Sequence, residues 1–295
     1  MNAEHADWGN ITDTGVEMWD TAPVFHGVRV GFWDWARLLF YPKKWVLYRA
    51  VLRAVRGMGS AGPVRVLDAG CGTGASVIDL KTLCGDAADI VGADVVGEQI
   101  VAARDKARDA GAAVSFVLYD GEHLPFPDAS FDAIYTSDVL GHVRNPSVWL
   151  AELARVLKSG GTLAMFSESA IGRHALIRRY LLRHGLNADP HRQFHISLYA
   201  KQELRDMMSD AGFAIERMMG VFLAAFFVHP QEFAPALRAD GRFPLLRALN
   251  AALCFLRKIF GRVFVAAGEL YGLIEMYAIG RWVESQGYII LAKKR

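Results

Sequence analysis

Val66-Leu67-Asp68-Ala69-Gly70-Cys71-Gly72-Thr73-Gly74 is the stretch that decides the fold of this chain. It continues a short apolar run from Val64 that is typical of a buried strand. The apolar spacing of residues 75–80 after the three glycines predicts a helix. Glycine permits a positive φ and removes the Cβ atoms that would keep a ligand away from the backbone. We therefore expect a ligand at the carboxyl end of this first strand.

Length and composition indicate one large domain, or a domain with a sizeable addition, because the chain has 295 residues and is 53% hydrophobic. A formal net charge of +2 does not indicate the strongly basic surface that is typical of nucleic-acid-binding proteins. Cys71, Cys84 and Cys254 lack a C-x-x-C spacing, so neither a disulfide framework nor a zinc site is expected. Together with a polar, acidic N-terminus that is not typical of a signal peptide, this predicts a cytoplasmic protein.

The hydropathy pattern predicts no transmembrane helix. The longest apolar stretch covers residues 218–228 and ends at His229-Pro230, which is shorter than the roughly 18 residues of a spanning helix. Charged residues interrupt the later apolar region. Peripheral contact with a membrane, without a spanning helix, remains an alternative.

Strand and helix patterns alternate between residues 64 and 167, which predicts an α/β fold with a parallel sheet. After the first strand, the predicted strands are 90–94, 113–119, 131–137, 162–167, 213–218 and 288–292. The predicted helices include 97–110, 147–157 and 198–212. Gly160 and Gly161 follow the second of these helices, as expected past a helix end.

The turn reads Asp68-x-Gly70-x-Gly72-x-Gly74, whereas dinucleotide-binding turns read G-x-G-x-x-G. It resembles motif I of the class I S-adenosylmethionine (SAM) methyltransferases. Residues 124–132 read LPFPDASFD and resemble the LPFPDxSFD segment of the small-molecule methyltransferases related to ubiquinone biosynthesis. Residues 139–143 and 157–161 are similar to the VLEHV and LKPGG segments of that group.

This resemblance covers about residues 64–167 and weakens toward residue 217. It implies a Rossmann-like sheet, mostly parallel with an antiparallel last strand, and SAM as cofactor with S-adenosylhomocysteine as product. Asp94 stands where the family holds the ribose hydroxyls, and a carboxylate can accept two hydrogen bonds from a vicinal diol. Asp120 matches the acid that meets the adenine amino group. The residues implied to bind the cofactor are Asp68, Gly70, Cys71, Gly72, Gly74, Asp94, Val95, Asp120, Gly121, Glu122, Ser137 and Asp138.

Candidate catalytic residues are fewer, because a general base is needed only if the acceptor arrives protonated. His142 follows the fourth strand, and its ordinary pKa near 6.5 suits proton transfer. The alternative is that His142 only packs or hydrogen-bonds in a turn. His195 is the second candidate, followed by His191. The family's glutamate before the first histidine is Gly141 here, which puts any inherited base assignment in doubt.

The acidic and histidine residues lack the i, i+4 spacing of a metal motif, so the sequence predicts no metal site. An arginine-rich helical region at 173–184 is either a solvated face or a site for an anionic substrate.

We expect three parts of the chain. Residues 1–62 form an aromatic-rich helical cap, with two short helices separated at Pro42, that covers the cofactor or packs on the sheet edge. Residues 63–218 and 287–295 form the SAM-binding core. Residues 219–286 form a helical insertion before the last strand, which could be a lid over a hydrophobic acceptor, a homodimer surface or a membrane-contact patch.

The leading functional hypothesis is a SAM-dependent methyltransferase that modifies oxygen, nitrogen or carbon of a small, apolar or aromatic acceptor. An NAD(P)-dependent oxidoreductase is one alternative, although the glycine spacing and the LPFPDASFD segment argue against it. A non-catalytic SAM-binding protein is another. No nucleic-acid partner is expected.

Overall fold

The computed structural model describes residues 21–27, 30–57, 62–189, 195–221 and 224–295. Residues 1–20, which include the acidic N-terminal segment, and His191 lie outside these ranges. Seven strands form one sheet in the order β3-β2-β1-β4-β5-β7-β6. The strands are β1 (Val64–Ala69), β2 (Ala88–Asp94), β3 (Ser115–Leu118), β4 (Phe131–Ser137), β5 (Leu157–Glu168), β6 (Phe213–Met219) and β7 (Gly287–Lys294).

The first five strands pair in parallel, and β7 is antiparallel to both β5 and β6. This confirms the predicted sheet, including its antiparallel last strand. The helices are α1 (Phe32–Leu38), α2 (Pro42–Gly57), α3 (Ala75–Cys84), α4 (Gly97–Asp109), α5 (Pro146–Val156), α6 (Leu176–Arg183), α7 (Lys201–Asp210), α8 (Ala224–Val228), α9 (Pro230–Ala239) and α10 (Pro244–Ala278).

The sheet is buried on both faces, which explains why its strands read as continuous apolar runs. On one face Leu47 of α2 and Leu80 of α3 belong to the same apolar layer as Val66. On the other face Trp149 of α5 and Leu204 of α7 pack with Leu67. With both faces covered, the exposed place for a ligand is the edge where the parallel strands end.

Several predicted boundaries were wrong by a few residues. Strand β5 begins at Leu157 instead of Thr162, because Leu157 already pairs with Phe131 and an irregularity in the pairing accommodates the glycines. Strand β3 is shorter than predicted, and α7 begins at Lys201 instead of Leu198.

The helical insertion before the last strand is confirmed, since α8, α9 and α10 lie between β6 and β7. Helix α10 contains a break at Gly261, where φ is 47° and ψ is −118°. Among the described helices, none is both long enough and apolar enough to cross a membrane.

A buried carboxylate that the sequence did not single out holds the N-terminal part against the sheet. Oδ1 of Asp79 on α3 accepts hydrogen bonds from the N–H groups of Val24 (2.7 Å) and Phe25 (3.0 Å). Its Oδ2 accepts from Nζ of Lys44 (2.9 Å) and Oη of Tyr48 (2.8 Å) on α2. Residue 79 thus anchors both the N-terminal segment and α2 beside the glycine turn.

Candidate active site

The glycine turn leaves β1 with three residues in the left-handed region, since φ is 79° at Gly70, 52° at Gly72 and 80° at Gly74. Gly70 also lacks space for a side chain, because a Cβ atom there would lie 2.2 Å from Cγ2 of Val139. The N–H of Gly70 donates to the carbonyl of Ala93 at 2.8 Å, which ties the turn to β2. Both conformation and packing therefore require glycine here.

Asp94, the last residue of β2, holds the turn in shape. Its Oδ2 accepts from the N–H of Gly72 at 2.8 Å, and its Oδ1 accepts from the N–H of Val96 at 3.0 Å. Burial raises the pKa of Asp94, and these backbone hydrogen bonds partly oppose the rise. Each carboxylate oxygen has a further lone pair, so the group can also accept hydrogen bonds from a bound diol.

Asp68 lies fully buried at the end of β1. Its Oδ2 accepts a short hydrogen bond from Oγ of Ser76, whereas its Oδ1 is buried and has no hydrogen-bond partner among the described residues. Burial has the largest effect and raises the pKa of Asp68. The hydrogen bond from Ser76 lowers this pKa and the charge of Asp94 raises it, so that the pKa is about 7. An unsatisfied buried oxygen next to the turn is the kind of group that a ligand donor satisfies.

The turn opens into a cavity of about 1100 Å³. Its wall includes residues from the sheet, from α2 and from the insertion. The predicted site residues that line it are Gly70, Cys71, Gly72, Asp94, Val95, Ser137, Asp138, His142 and His195. Asp68 and Gly74 stand behind this wall, at the end of β1 and the start of α3.

The structure does not bring Asp120, Gly121 and Glu122 to the described wall of the cavity. Oδ1 of Asp120 instead accepts hydrogen bonds from the N–H groups of Glu122 (2.8 Å) and His123 (2.7 Å). These two hydrogen bonds lower the pKa of the exposed Asp120 carboxyl, and the bond from His123 has the larger effect. Its proposed contact with adenine stays a prediction.

Two carboxyl groups meet at the ends of β4 and β5. Asp138 adopts φ 61°, an uncommon conformation for a residue other than glycine, and forms an ion pair with Lys43 of α2. Burial, followed by the negative charge of Asp138, raises the pKa of Glu168 well above its usual range. Burial also acts to raise the pKa of Asp138, but Lys43 and the hydrogen bond shared with Glu168 lower it overall. The pair therefore favours one shared proton.

Sequence reasoning missed Glu168 and Lys43. Glu168 could have been found from its place at the carboxyl end of a parallel strand, where ligands bind in such sheets. Lys43 carried no comparable signal, because it comes from a helix outside the sheet.

The two predicted catalytic histidines lie together, with ring centroids 5.2 Å apart. His142 ends a short 3-10 turn after β4, and His195 precedes α7. The segment after His195 is fixed because the N–H groups of Ile196 and Ser197 donate to the carbonyl of Gly141 at 2.8 and 3.0 Å. Nδ1 of His195 is also 3.1 Å from Oδ2 of Asp189.

One member of the arginine-rich region, Arg178, reaches the cavity wall. Its guanidinium donates to Oε2 of Glu232 at 2.6 Å and lies 3.7 Å from Oδ1 of Asp189. Two acids thus offset its charge, which favours a structural role over the capture of an anionic substrate.

Known proteins resemble this chain over the same region. The family described as methyltransferase domain matches residues 67–165. The ubiquinone/menaquinone biosynthesis C-methyltransferase UbiE of Teredinibacter turnerae is 34% identical over 167 residues, which cover 51% of this chain and 67% of that protein. Methyltransferase GfsG of Streptomyces halstedii is 41% identical over 103 residues, or 34% of this chain and 36% of that protein.

The chain therefore spans only about a third of the GfsG length and about two thirds of the UbiE length. Among solved structures, the [4+2]-cyclase SpnF is 24% identical with a TM-score of 0.50, covering 92% of this chain and 87% of SpnF. This last likeness concerns the fold alone.

The sheet order, the glycine turn and the cavity at the strand ends define a Rossmann-like α/β protein that binds its ligand at the carboxyl edge of the sheet. With the sequence relationship to UbiE, the chain belongs to the class I SAM-dependent methyltransferase family. Its cofactor is S-adenosylmethionine.

The described residues fit this cofactor. The turn presents backbone without Cβ atoms at Gly70 and Gly72, and Asp94 has acceptor capacity for a diol. The buried Oδ1 of Asp68 has no donor within the described ranges, and the amino group of a bound ligand could supply one. Asp94 and the glycine turn share one cavity with the acid pair and the histidines, so there is room for a second reactant.

Proposed function

We propose that this chain transfers a methyl group from SAM to a small-molecule acceptor. The observation that carries the proposal is the single cavity that joins the glycine turn to Asp138, His142, Glu168 and His195. A cofactor and an acceptor must lie next to each other for transfer, and one continuous cavity of about 1100 Å³ allows that arrangement.

The sulfonium of bound SAM supplies a methyl group that is already electrophilic, so the chain contributes mainly binding and orientation. Gly70, Gly72 and Asp94 would bind the cofactor at the strand ends. The side chains of α2 and the insertion would exclude water, because both contribute to the cavity wall.

An acceptor with a hydroxyl group must also lose a proton. His142 and His195 were the predicted bases, and both line the cavity. We add Glu168 as a third group that could hold the proton, since its carboxyl is buried beside Asp138 and its pKa is raised. Replacement of His142 by Ala tests the first assignment: near-normal turnover would exclude an essential base at this position.

We propose an apolar or aromatic acceptor. Tyr41, Phe166, Val228 and Met276 line the cavity, so apolar side chains approach it from the N-terminal part, the sheet and the insertion. The name of the UbiE relative places that enzyme in quinone biosynthesis, which agrees with such an acceptor.

We also propose the three-part division of the chain, with residues 219–286 as a lid. Val228, Glu269 and Met276 line the cavity, which supports the lid over the other two roles. The outer side of α10 exposes apolar side chains such as Leu245 and Val263. Size measurement of a variant that lacks residues 230–284 tests the dimer alternative, because an unchanged oligomeric state would exclude a dimer through this region.

Calorimetric titration with SAM and with NAD tests the cofactor side of the proposal. We expect binding of SAM, and binding of NAD alone would overturn the proposal in favour of an oxidoreductase.

The acceptor needs a separate test, because a protein of this fold need not transfer methyl groups: SpnF has the same fold and is named a [4+2]-cyclase. Release of S-adenosylhomocysteine should therefore be screened with phenols, quinols and hydroxylated apolar compounds. Tight SAM binding without release for any acceptor would favour the non-catalytic alternative.

A further inference from the structure

Three potential metal ligands converge where β4 and β5 end. One ligand atom from each of His142, Glu168 and His195 lies within 4.8 Å of the other two. The three residues are far apart in sequence, which is why no local spacing indicated a metal. They meet because β4 and β5 are neighbours and because the segment after His195 is hydrogen-bonded to Gly141.

We propose that His142, Glu168 and His195 bind a divalent transition-metal ion that takes an oxygen of the acceptor as a further ligand. This inference rests on the proposed function, because it adds a group that would bind the acceptor of that reaction. It changes one part of that proposal: the three residues bind the ion instead of taking the proton of the acceptor. It replaces the sequence-based expectation that the chain has no metal site, which depended on the absence of an i, i+4 motif.

The first independent support is the carboxylate itself. Oε2 of Glu168 is buried and has no hydrogen-bond donor in the part of the chain that the structure describes. A buried carboxylate oxygen of this kind calls for a partner, and a metal ion would be one.

The second support is the outer hydrogen bond of His195. A metal-binding histidine usually places its other ring nitrogen against a carboxylate, which fixes the orientation of the ring. Nδ1 of His195 lies 3.1 Å from Oδ2 of Asp189, so Nε2 is the nitrogen that would bind the ion. Asp189 is in turn 3.7 Å from Arg178, which donates to Glu232.

The third support is the space between the ligands. A Cβ atom at Gly141 would lie 3.2 Å from Oε2 of Glu168 and 3.4 Å from Cδ2 of His195. A longer side chain at this position would crowd the region around these two ligands. The family's glutamate at this position is absent here, and Glu168 brings a carboxylate to the same place from β5.

The ligand set indicates which ions fit. Imidazole nitrogens together with one carboxylate suit Zn²⁺, Fe²⁺ or Co²⁺, whereas Mg²⁺ and Ca²⁺ prefer oxygen ligands only. Metal–ligand bonds of about 2.0–2.2 Å place two ligands of one ion at most about 4.4 Å apart. The three ligand atoms lie within 4.8 Å of one another, which is close to this limit. Three protein ligands leave positions for water or substrate.

A bound ion would lower the pKa of an acceptor hydroxyl. The hydroxyl would give its proton to water, its oxygen would bond to the methyl carbon, and the carbon–sulfur bond would break. The oxidation state of the ion does not change, so no oxidant or reductant is needed. The acceptor class that follows is a phenol or alcohol.

The experiment is titration of the chelator-treated full chain with Zn²⁺ by calorimetry, supported by the visible absorption of Co²⁺. We expect one tight site in the natural protein. His195→Ala and Glu168→Gln should each weaken Zn²⁺ at least about tenfold, and Asp189→Asn should weaken it about tenfold through the outer hydrogen bond. His123→Ala, an exposed histidine away from the cavity, is the matched control and should bind as the natural protein does.

Absence of the site in the natural protein, or equal affinity in the ligand variants, would overturn the proposal. A thiolate charge-transfer band with Co²⁺ would also overturn it, because the proposed ligands include no cysteine. SAM titration of the same samples shows whether each variant is folded. It also separates the two proposals: SAM binding without Zn²⁺ binding contradicts only the metal site, whereas Zn²⁺ binding without SAM binding contradicts the proposed function and, with it, the role of the ion toward the acceptor.

Discussion

The carboxylate of Asp94 is hydrogen-bonded to the middle glycine of the turn, with Oδ2 2.8 Å from the amide nitrogen of Gly72. This bond links the end of β2 to the turn after β1. The strand end and the glycine turn therefore form one unit at the cavity wall, although 22 residues separate them in sequence.

Replacement of Asp94 by Ala should weaken SAM binding at least about tenfold, because it removes a charged acceptor from two backbone N–H groups and from the cofactor diol. Calorimetric titration with SAM measures the change. Asp105→Ala is the control and should change the affinity less than about threefold, since Asp105 is an exposed acid off the described cavity wall. Equal losses in the two variants would contradict a specific role of Asp94.

Gly70→Ala should destabilise the protein through two separate effects. The residue has φ 79°, and the added methyl group would lie 2.2 Å from Cγ2 of Val139. Gly111 has φ 64° with nothing near its Cβ position, so Gly111→Ala measures the conformational effect alone. We expect Gly111→Ala to cost about 1 kcal/mol and Gly70→Ala about 2 kcal/mol more.

Urea unfolding gives these free energies. Val139→Ala in the Gly70→Ala background should recover part of the additional loss, because it removes the clashing methyl groups. Strictly additive effects of the two substitutions would contradict a direct clash.

Asp68 should give a pH dependence to stability in the absence of SAM. Its pKa in the folded chain is raised from 3.8 to about 7, so the folded state holds a proton that the unfolded state loses near pH 4. The resulting stabilisation is present below pH 4 and is lost as pH rises toward 7, with an upper limit of about 4 kcal/mol.

Asp68→Asn removes this titration. Urea unfolding at pH 5 and pH 8 should therefore show the variant gaining stability relative to the natural protein at the higher pH. Asp89→Asn replaces an exposed acid 3.7 Å from Arg65 and should follow the natural protein at both pH values. Parallel pH profiles for Asp68→Asn and the natural protein would contradict the raised pKa.

Asp79→Ala should loosen the N-terminal part of the chain. The substitution leaves the buried N–H groups of Val24 and Phe25 and the ammonium of Lys44 without their acceptor. We expect a loss of about 3 kcal/mol in the free energy of unfolding and faster tryptic cleavage at Arg37.

Asp86→Ala is the matched change, because Asp86 is fully exposed and lies 3.8 Å from Lys81. It should alter stability by less than about 0.5 kcal/mol. Similar cleavage rates in the two variants would show that Asp79 does not hold this segment.

Much of the fold could be predicted because its signals are local. The apolar runs of β1 and β4, the glycine turn and the helix after it each depend on residues that are close in sequence. The last strand was also predicted, despite the insertion before it, because its apolar run is short and bounded. The errors lay at the start of α7 and at the ends of β3 and β5, and in the two strands the pairing instead of the local pattern sets the boundary.

The candidate site divides in the same way. Gly70 and Gly72 were predicted from the glycine turn and Asp94 from the resemblance to the methyltransferases, and the structure brings all three to one cavity. Asp79, Lys43 and Glu168 were not found, because each acts on a partner that is distant in the chain.

The sequence by itself determined the sheet and the glycine turn, since backbone conformation and apolar spacing depend on consecutive residues. The class of cofactor followed from the resemblance of its motifs to a known family. Only the tertiary structure decided that Glu168 lies beside Gly141 and between two histidines. It also decided that α2 and α10 close the same cavity. The physical reason is that these contacts depend on how strands pair and how loops pack across the sheet edge. Distances between residues that are far apart in sequence cannot be read from a local sequence pattern.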